Sequence, residues 1–476
     1  MIKRIILNYL ILLNILVFSS YSLAVSLSFD ASYHNAINGI EGIKGANTLT
    51  VSPDGKQLYV IGFKEHSIAV FTRNSQTGKL TFLEFHKDGV DGVDGLRGPV
   101  AVVVSPDGKQ VYVAGDYADA VTVFNRDRAT GALTFFEVYK NGVQGIEGLD
   151  GPKDVAISPD GEQVYVTGGV DNALVIFNRN ATTGRLTFFE MHQGVRNGGD
   201  GLQGLSGITV SADGKYIYVT GYDDDSLVSF SRDKTTGELS IIDIVFNDSN
   251  DITGLDGPKS LVVSPDGNQV YVIGFLSDAV VLFRRDTETG LLSYYRTYVN
   301  GSSQYGKKID GLYGAMDIVV SLDGKEVYVV GFHDDTLAVF KRSNTKGELS
   351  YIEVYRDNYE IESLDGAFGV AISPDGKQVY VAGNLSSDLV VFNRTDSDVD
   401  IVFDWAERKF SDSFSPVNQP SYQFGKWYYR SYSIINSVIA LNTSDGDIYV
   451  YSPQWGLVNV DSSGNLLTRV KETSSD

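Results

Sequence analysis

The stretch Ser158-Pro159-Asp160-Gly161-Glu162-Gln163-Val164-Tyr165-Val166-Thr167-Gly168 decides the fold. Near-copies begin at Ser52, Ser105, Ser211, Ser264, Ser321 and Ser373, giving seven units at steps of 53, 53, 53, 53, 57 and 52 residues. Each copy reads as a hairpin. Pro presets φ in the turn, Asp bonds its own backbone, and Gly takes the left-handed position. The flanks, Asp154 to Ile157 and Gln163 to Thr167, carry the β-branched and aromatic residues that strands favour. Outward from the hairpin come an apolar run, Ala173 to Phe177, a turn at Thr183-Gly184, and a fourth run, Leu186 to Met191. Four short antiparallel strands, here a to d from the axis outward, repeated seven times, predict an all-β, seven-bladed β-propeller.

Unit seven ends at Phe392-Asn393-Arg394 and lacks the Gly that closes the c–d turn in the other six, Gly78, Gly131, Gly184, Gly237, Gly290 and Gly347. Ser26 to Ser32 resembles a strand d that precedes any a, b or c strand. It is expected to complete the last blade, leaving no open edge at the join. Asp400 to Asp404 is the rival for that slot.

Residues 1–24 read as a secretory signal: Lys3 and Arg4, an apolar stretch from Ile5 to Phe18, then Ser22-Leu23-Ala24. The expected domains are this signal, the propeller at 25–394, a linker at 395–426 and a small β-rich C-terminal module at 427–476. Removing the signal takes away two positive charges and moves the net charge from −21 to −23. The expected product is exported, periplasmic or extracellular, without a membrane anchor after cleavage. Its acidity argues against nucleic acid as a partner. The absence of cysteine excludes disulfides and thiolate metal sites.

Between strand d and the next strand a, Gly recurs every third residue, as at Gly89, Gly92, Gly95 and Gly98. With Val90, Val93 and Leu96 between them, these loops are expected to run as extended segments with one side buried. The b–c loops carry His66, Asp119, Asn172, Asp225, Asp278 and Asp335 four residues past the Gly that ends strand b, with Asp388 one step later in unit seven. A local Asx turn explains them. The sharper alternative makes Asp119, Asp225, Asp278 and Asp335 oxygen ligands for Ca²⁺, the one cofactor the sequence suggests.

The repeat resembles that of the lactonase-like, or YVTN-repeat, seven-bladed propellers over residues 26 to 394. Enzymatic members similar to 6-phosphogluconolactonase are expected to place Pro-His five residues before the hairpin Ser. Here that slot holds Asn47, Val100, Lys153, Ser206, Lys259, Met316 and Phe368, so His is missing throughout. The five histidines fall near strand d ends (His34, His86, His192) or in b–c loops (His66, His333).

The residues expected at the axial mouth are Arg97, Lys153, Lys259, Asp154 and Asp317. The cations suit a small anionic ligand, and the two carboxylates are the candidate bases. A carboxylate near its ordinary value is a poor base at neutral pH, and adjacent lysines lower it further. The expected function is therefore a binding platform for a small anionic ligand or a protein partner. The alternative is a hydrolase or isomerase acting on a lactone or sugar acid, and a purely structural surface protein is a third class.

Overall fold

The computed structural model describes residues 26–195, 199–358, 361 and 363–395, with strand segments between 403 and 469. The signal and most of the linker lie outside the described residues. Two compact units form, Ser26–Thr395 and one containing residues 396–476. Among the described residues no helix is long and apolar enough to cross a membrane.

The first unit is the propeller. Its seven sheets each hold four antiparallel strands, as in Pro152–Ile157, Gln163–Gly168, Ala173–Arg179 and Leu186–Gln193 of blade 3. Innermost strands of successive blades adjoin one another around a ring that closes from Ala367–Ile372 to Ala46–Val51. Strand b is buried along its whole length in every blade, because it is sandwiched within its own sheet and between two neighbouring blades. That explains the continuous apolar runs.

The N-terminal strand closes the ring as expected. Ser26–His34 pairs antiparallel with Asp388–Thr395, from Ser26 opposite Thr395 to His34 opposite Asp388. It even reproduces the bulge that every other strand d makes against strand c, here between Phe29 and Ala31. Phe403–Asp404 instead pairs with Lys409–Phe410. In the second unit, six strands from Tyr422–Phe424 to Leu466–Arg469 form a sheet in sequence order.

Two repeated devices join the blades. On the face bearing the Ser-Pro-Asp-Gly turns, the Arg that ends strand c clamps the preceding blade. Arg179 is typical. Its side chain is 1% exposed. It donates to both Asp107 carboxylate oxygens at 2.9 Å, to Tyr112 Oη at 2.8 Å and to the Gly161 carbonyl at 2.9 Å. Burial alone would raise the Asp107 carboxyl, but hydrogen bonds from Ser105 and Arg179 override it and hold it at about 2. A buried guanidinium is tolerable because each of its three nitrogens meets an oxygen.

The second device corrects the Asx-turn expectation. The b–c residues adopt the left-handed conformation (Asp119 φ 49°, Asp225 φ 50°), but their side chains accept from the next blade instead of their own hairpin. Asp119, Asp225, Asp278 and Asp335 take the N–H of Gly151, Gly257, Gly314 and Gly366 at 2.8–3.0 Å. Asn172 and His66 Nδ1 do the same for Gly204 and Gly98. In blade 7 the latch is Ser387, not Asp388, with its Oγ on Gly45 N at 3.0 Å. Asp388 instead pairs with His34 across the closing strands at 3.1 Å.

The glycine-triplet loops also differ from expectation. Gly89, Gly92, Gly95 and Gly98 all have positive φ, so the loop is a run of turns, not an extended segment. Val93 and Leu96 are buried, whereas Val90 is exposed.

Candidate ligand site at the axial mouth

Strand a brings two successive slots to the axis. The outer slot, five residues before the hairpin Ser, opens on the loop face. The inner slot, one residue further on, holds Thr48, Ala101, Asp154, Gly207, Ser260, Asp317 and Gly369. An innermost strand has no further strand inside it, so the partial exposure of Thr48, Asp154, Ser260 and Asp317 is exposure to the axial channel.

The two predicted carboxylates are tied into the inner ring. Asp154 accepts from Val155 N at 2.8 Å and, in the next blade, from Ile208 N at 3.0 Å. Asp317 accepts from Val370 N of the next blade, Ser260 Oγ of the previous one, and Ile318 N. Burial raises both carboxyls against the pull of these bonds, and Asp154, which also feels Asp317, reaches about 7. This overturns the expectation that neighbouring lysines depress Asp154. The adjacent Lys153 turns to the mouth and binds Asp116 at 2.9 Å.

In the outer slot the two lysines come together. Burial, and then the charge of Lys153, hold the Lys259 ammonium below its ordinary value, with Asp223 and Asp116 acting the other way. Lys259 Nζ lies over the Tyr222 ring, 4.4 Å from its centre, and 5.8 Å from that of Phe275. Such contacts partly replace lost hydration. Among the described residues Lys259 makes no ion pair. The buried Asn47 fills the same slot in blade 1, and its Oδ1 has no hydrogen-bond partner among the described residues. Phe368, in that slot in blade 7, meets Phe332 edge-on at 6.0 Å. Arg97 is exposed on a loop and takes no part in the charges acting on Lys259.

Asp116, Tyr222 and Phe275 were missed by the sequence reading. They share one slot, directly after the Gly that ends strand b, occupied in turn by Phe63, Asp116, Gly169, Tyr222, Phe275, Phe332 and Asn384. That variability beside an otherwise regular repeat was the available signal. The four calcium candidates lie in separate blade junctions, and among the described residues no group of three or more metal-ligating side chains converges.

A propeller with this architecture matches the lactonase, 7-bladed beta-propeller family over residues 15–145, 141–305 and 299–403, and the chain belongs to that family. It is 28% identical over 144 residues to the 6-phosphogluconolactonase of Bacillus subtilis, covering 30% of this chain and 39% of that protein. The 6-phosphogluconolactonase of Formosa agariphila is 36% identical over 100 residues, 20% of this chain and 27% of that protein. These matches thus span well under half the length of either relative. Among solved structures, the periplasmic gluconolactonase of Pseudomonas aeruginosa superposes with a TM-score of 0.53 at 18% identity, covering 65% of this chain and 85% of that one. At that identity the likeness is one of fold.

Proposed function

We propose that the propeller binds a small organic anion, a carboxylate or phosphate ester, at the axial mouth, with Lys259 as its principal contact. The observation that carries this is a desolvated ammonium beside a second lysine, without a carboxylate of its own, in a chain of net charge −21. Burying a charge is costly unless it is paired, and an anion held between Lys259 and Lys153 would offset both the desolvation and the like-charge repulsion. Tyr222 and Phe275 supply faces for the apolar side of a ring. Residues 1–24 support action outside the cytoplasm, and the chain's relatives named 6-phosphogluconolactonase make 6-phosphogluconate the first ligand to try.

The test is calorimetric titration of 6-phosphogluconate, gluconate and inorganic phosphate into the purified protein. Binding should weaken with salt, and Lys259→Met should loosen it at least about tenfold, a change of about 1.4 kcal/mol. Affinity unchanged by Lys259→Met removes the proposal.

A second reading, lactone hydrolysis, draws support from Asp154. A carboxyl at about 7 lies near the range a general base needs at neutral pH. In that reaction water adds to the lactone carbonyl and gives its proton to Asp154. The ring C–O bond then breaks, and the leaving oxygen takes a proton back. Lactone loss that vanishes in Asp154→Asn would favour this reading over simple binding.

A further inference from the structure

Blade 5 departs from the repeat at its outer rim. The fifth residue of strand d is acidic in five blades, Glu84, Glu137, Glu190, Asp243 and Glu353, but is Arg296 in blade 5. The acid has a job elsewhere: Glu84 and Glu190 accept the N–H of Leu133 and Leu239 in the next blade. At blades 2 and 5 that N–H, of Leu186 and Leu349, goes to Tyr139 and Tyr298 Oη at 2.8 Å, so neither junction needs the acid, and of the two only blade 5 replaces it with arginine. Arg296 is exposed and makes no ion pair among the described residues.

The longer step of this unit has a structural outcome beside it. Ser303–Gln304 and Lys307–Lys308 form a small hairpin turning at Tyr305-Gly306. Arg296, Thr297, Ser302, Ser303 and Tyr305 line a groove of about 340 Å³ with it. Tyr305 is 81% exposed and sits at φ 50°, in the left-handed region that a bulky residue rarely adopts. Lys307 and Lys308 add positive charge to the same hairpin. A solvent-exposed aromatic in a strained backbone, beside an unpaired arginine, gives the fold nothing that Asn or Gly would not give better.

We propose that this groove is a second binding site, for a hexuronate segment of an acidic glycan. Arginine matches a carboxylate in a two-point hydrogen-bonded contact. The tyrosine face packs on the C–H surface of a sugar ring, and the Ser303 hydroxyl meets a sugar hydroxyl. An acidic peptide added as a strand is disfavoured. Gln304 already occupies the neighbouring edge of blade 6, donating to Leu349 O at 2.7 Å and accepting from Tyr351 N at 2.9 Å.

The experiment titrates trigalacturonate, its methyl ester and hexaglutamate into the full chain and into Arg296→Glu and Tyr305→Ala. Glutamate is the residue four other blades carry there, so Arg296→Glu keeps the fold, and the exposed Tyr305→Ala carries the test if it does not. Trigalacturonate should bind saturably, about tenfold or more weakly in each variant, and the ester should not bind. No saturable binding up to about 10 mM, affinity unchanged in both variants, or hexaglutamate bound as tightly as the glycan would each overturn the proposal.

Discussion

The turn face and the loop face of the same disc are built on opposite plans. On the turn face the Arg clamp recurs at every junction, Arg126 on Asp54, Arg179 on Asp107, Arg232 on Asp160, and so round to Arg73 on Asp375. On the loop face around the axis, the slot after strand b is Phe in three blades and a different residue in each of the other four. One face stacks blades, a task identical at each junction. The other surrounds a single mouth, where identical residues would give a seven-fold ring of like groups instead of one asymmetric site. The 4–5 and 6–7 junctions vary the plan on the turn face: at the first, Tyr216 stands in the Gln slot with the Arg285 guanidinium 4.9 Å from its ring centre. Blade 7 takes its strand d from the N-terminus and has no c–d turn there, and Glu326 stands where most blades have Gln, bound to Arg394.

The strongest challenge to this contrast is a pair of variants on opposite faces. Arg179→Ala leaves Asp107 half-buried and Tyr112 without its donor, and should cost about 3–5 kcal/mol in denaturant unfolding. Lys259→Met removes a charge the fold gains nothing from and should leave stability unchanged or higher. If the two variants lose equal stability, the division between scaffold and site fails.

Next in size is a pH effect at the axis. Asp154 titrates at about 7 in the fold against an ordinary 3.8, so between these values the native state holds the proton and the unfolded state does not. Its contribution is therefore full below about pH 4 and is lost as the pH rises through 7. Relative to wild type, Asp154→Asn should gain stability across that window at about 1.4 kcal/mol per pH unit, up to about 4 kcal/mol in all. A difference that stays flat from pH 4 to 8 would place Asp154 in contact with bulk water and remove it as a base.

The smallest effect distinguishes latch from metal ligand. Burial and the nearby Asp225 raise the Asp256 carboxyl, so the charge on Asp225 is not what the latch needs. Asp225→Asn keeps the acceptor for Gly257, as Asn172 does for Gly204, and should be neutral to within about 0.5 kcal/mol. Millimolar Ca²⁺ should shift neither melting temperature by more than about 1 °C. A rise of many degrees in wild type that is lost in Asp225→Asn would make the loop a calcium site.

The repeat alone determined the blade count and the strand order within each blade, because these follow from local turn chemistry, while a missing glycine left two candidates for the closing strand and the pairing of Ser26–His34 with Asp388–Thr395 decided between them. It also located the pair of lysines, since equal spacing from the hairpin Ser puts residues at equal height on the axis. Tertiary structure decided the rest. Whether Asp119 caps its own turn or latches the next blade depends on where Gly151 lies, 32 residues away in sequence. Whether Asp154 is a weak or a useful base depends on burial, which no local pattern encodes. Lys153 and Lys259 have the same residue in the same slot, yet one finds Asp116 and the other Tyr222. Each side chain reaches across a blade boundary, and the preceding blade supplies its partner.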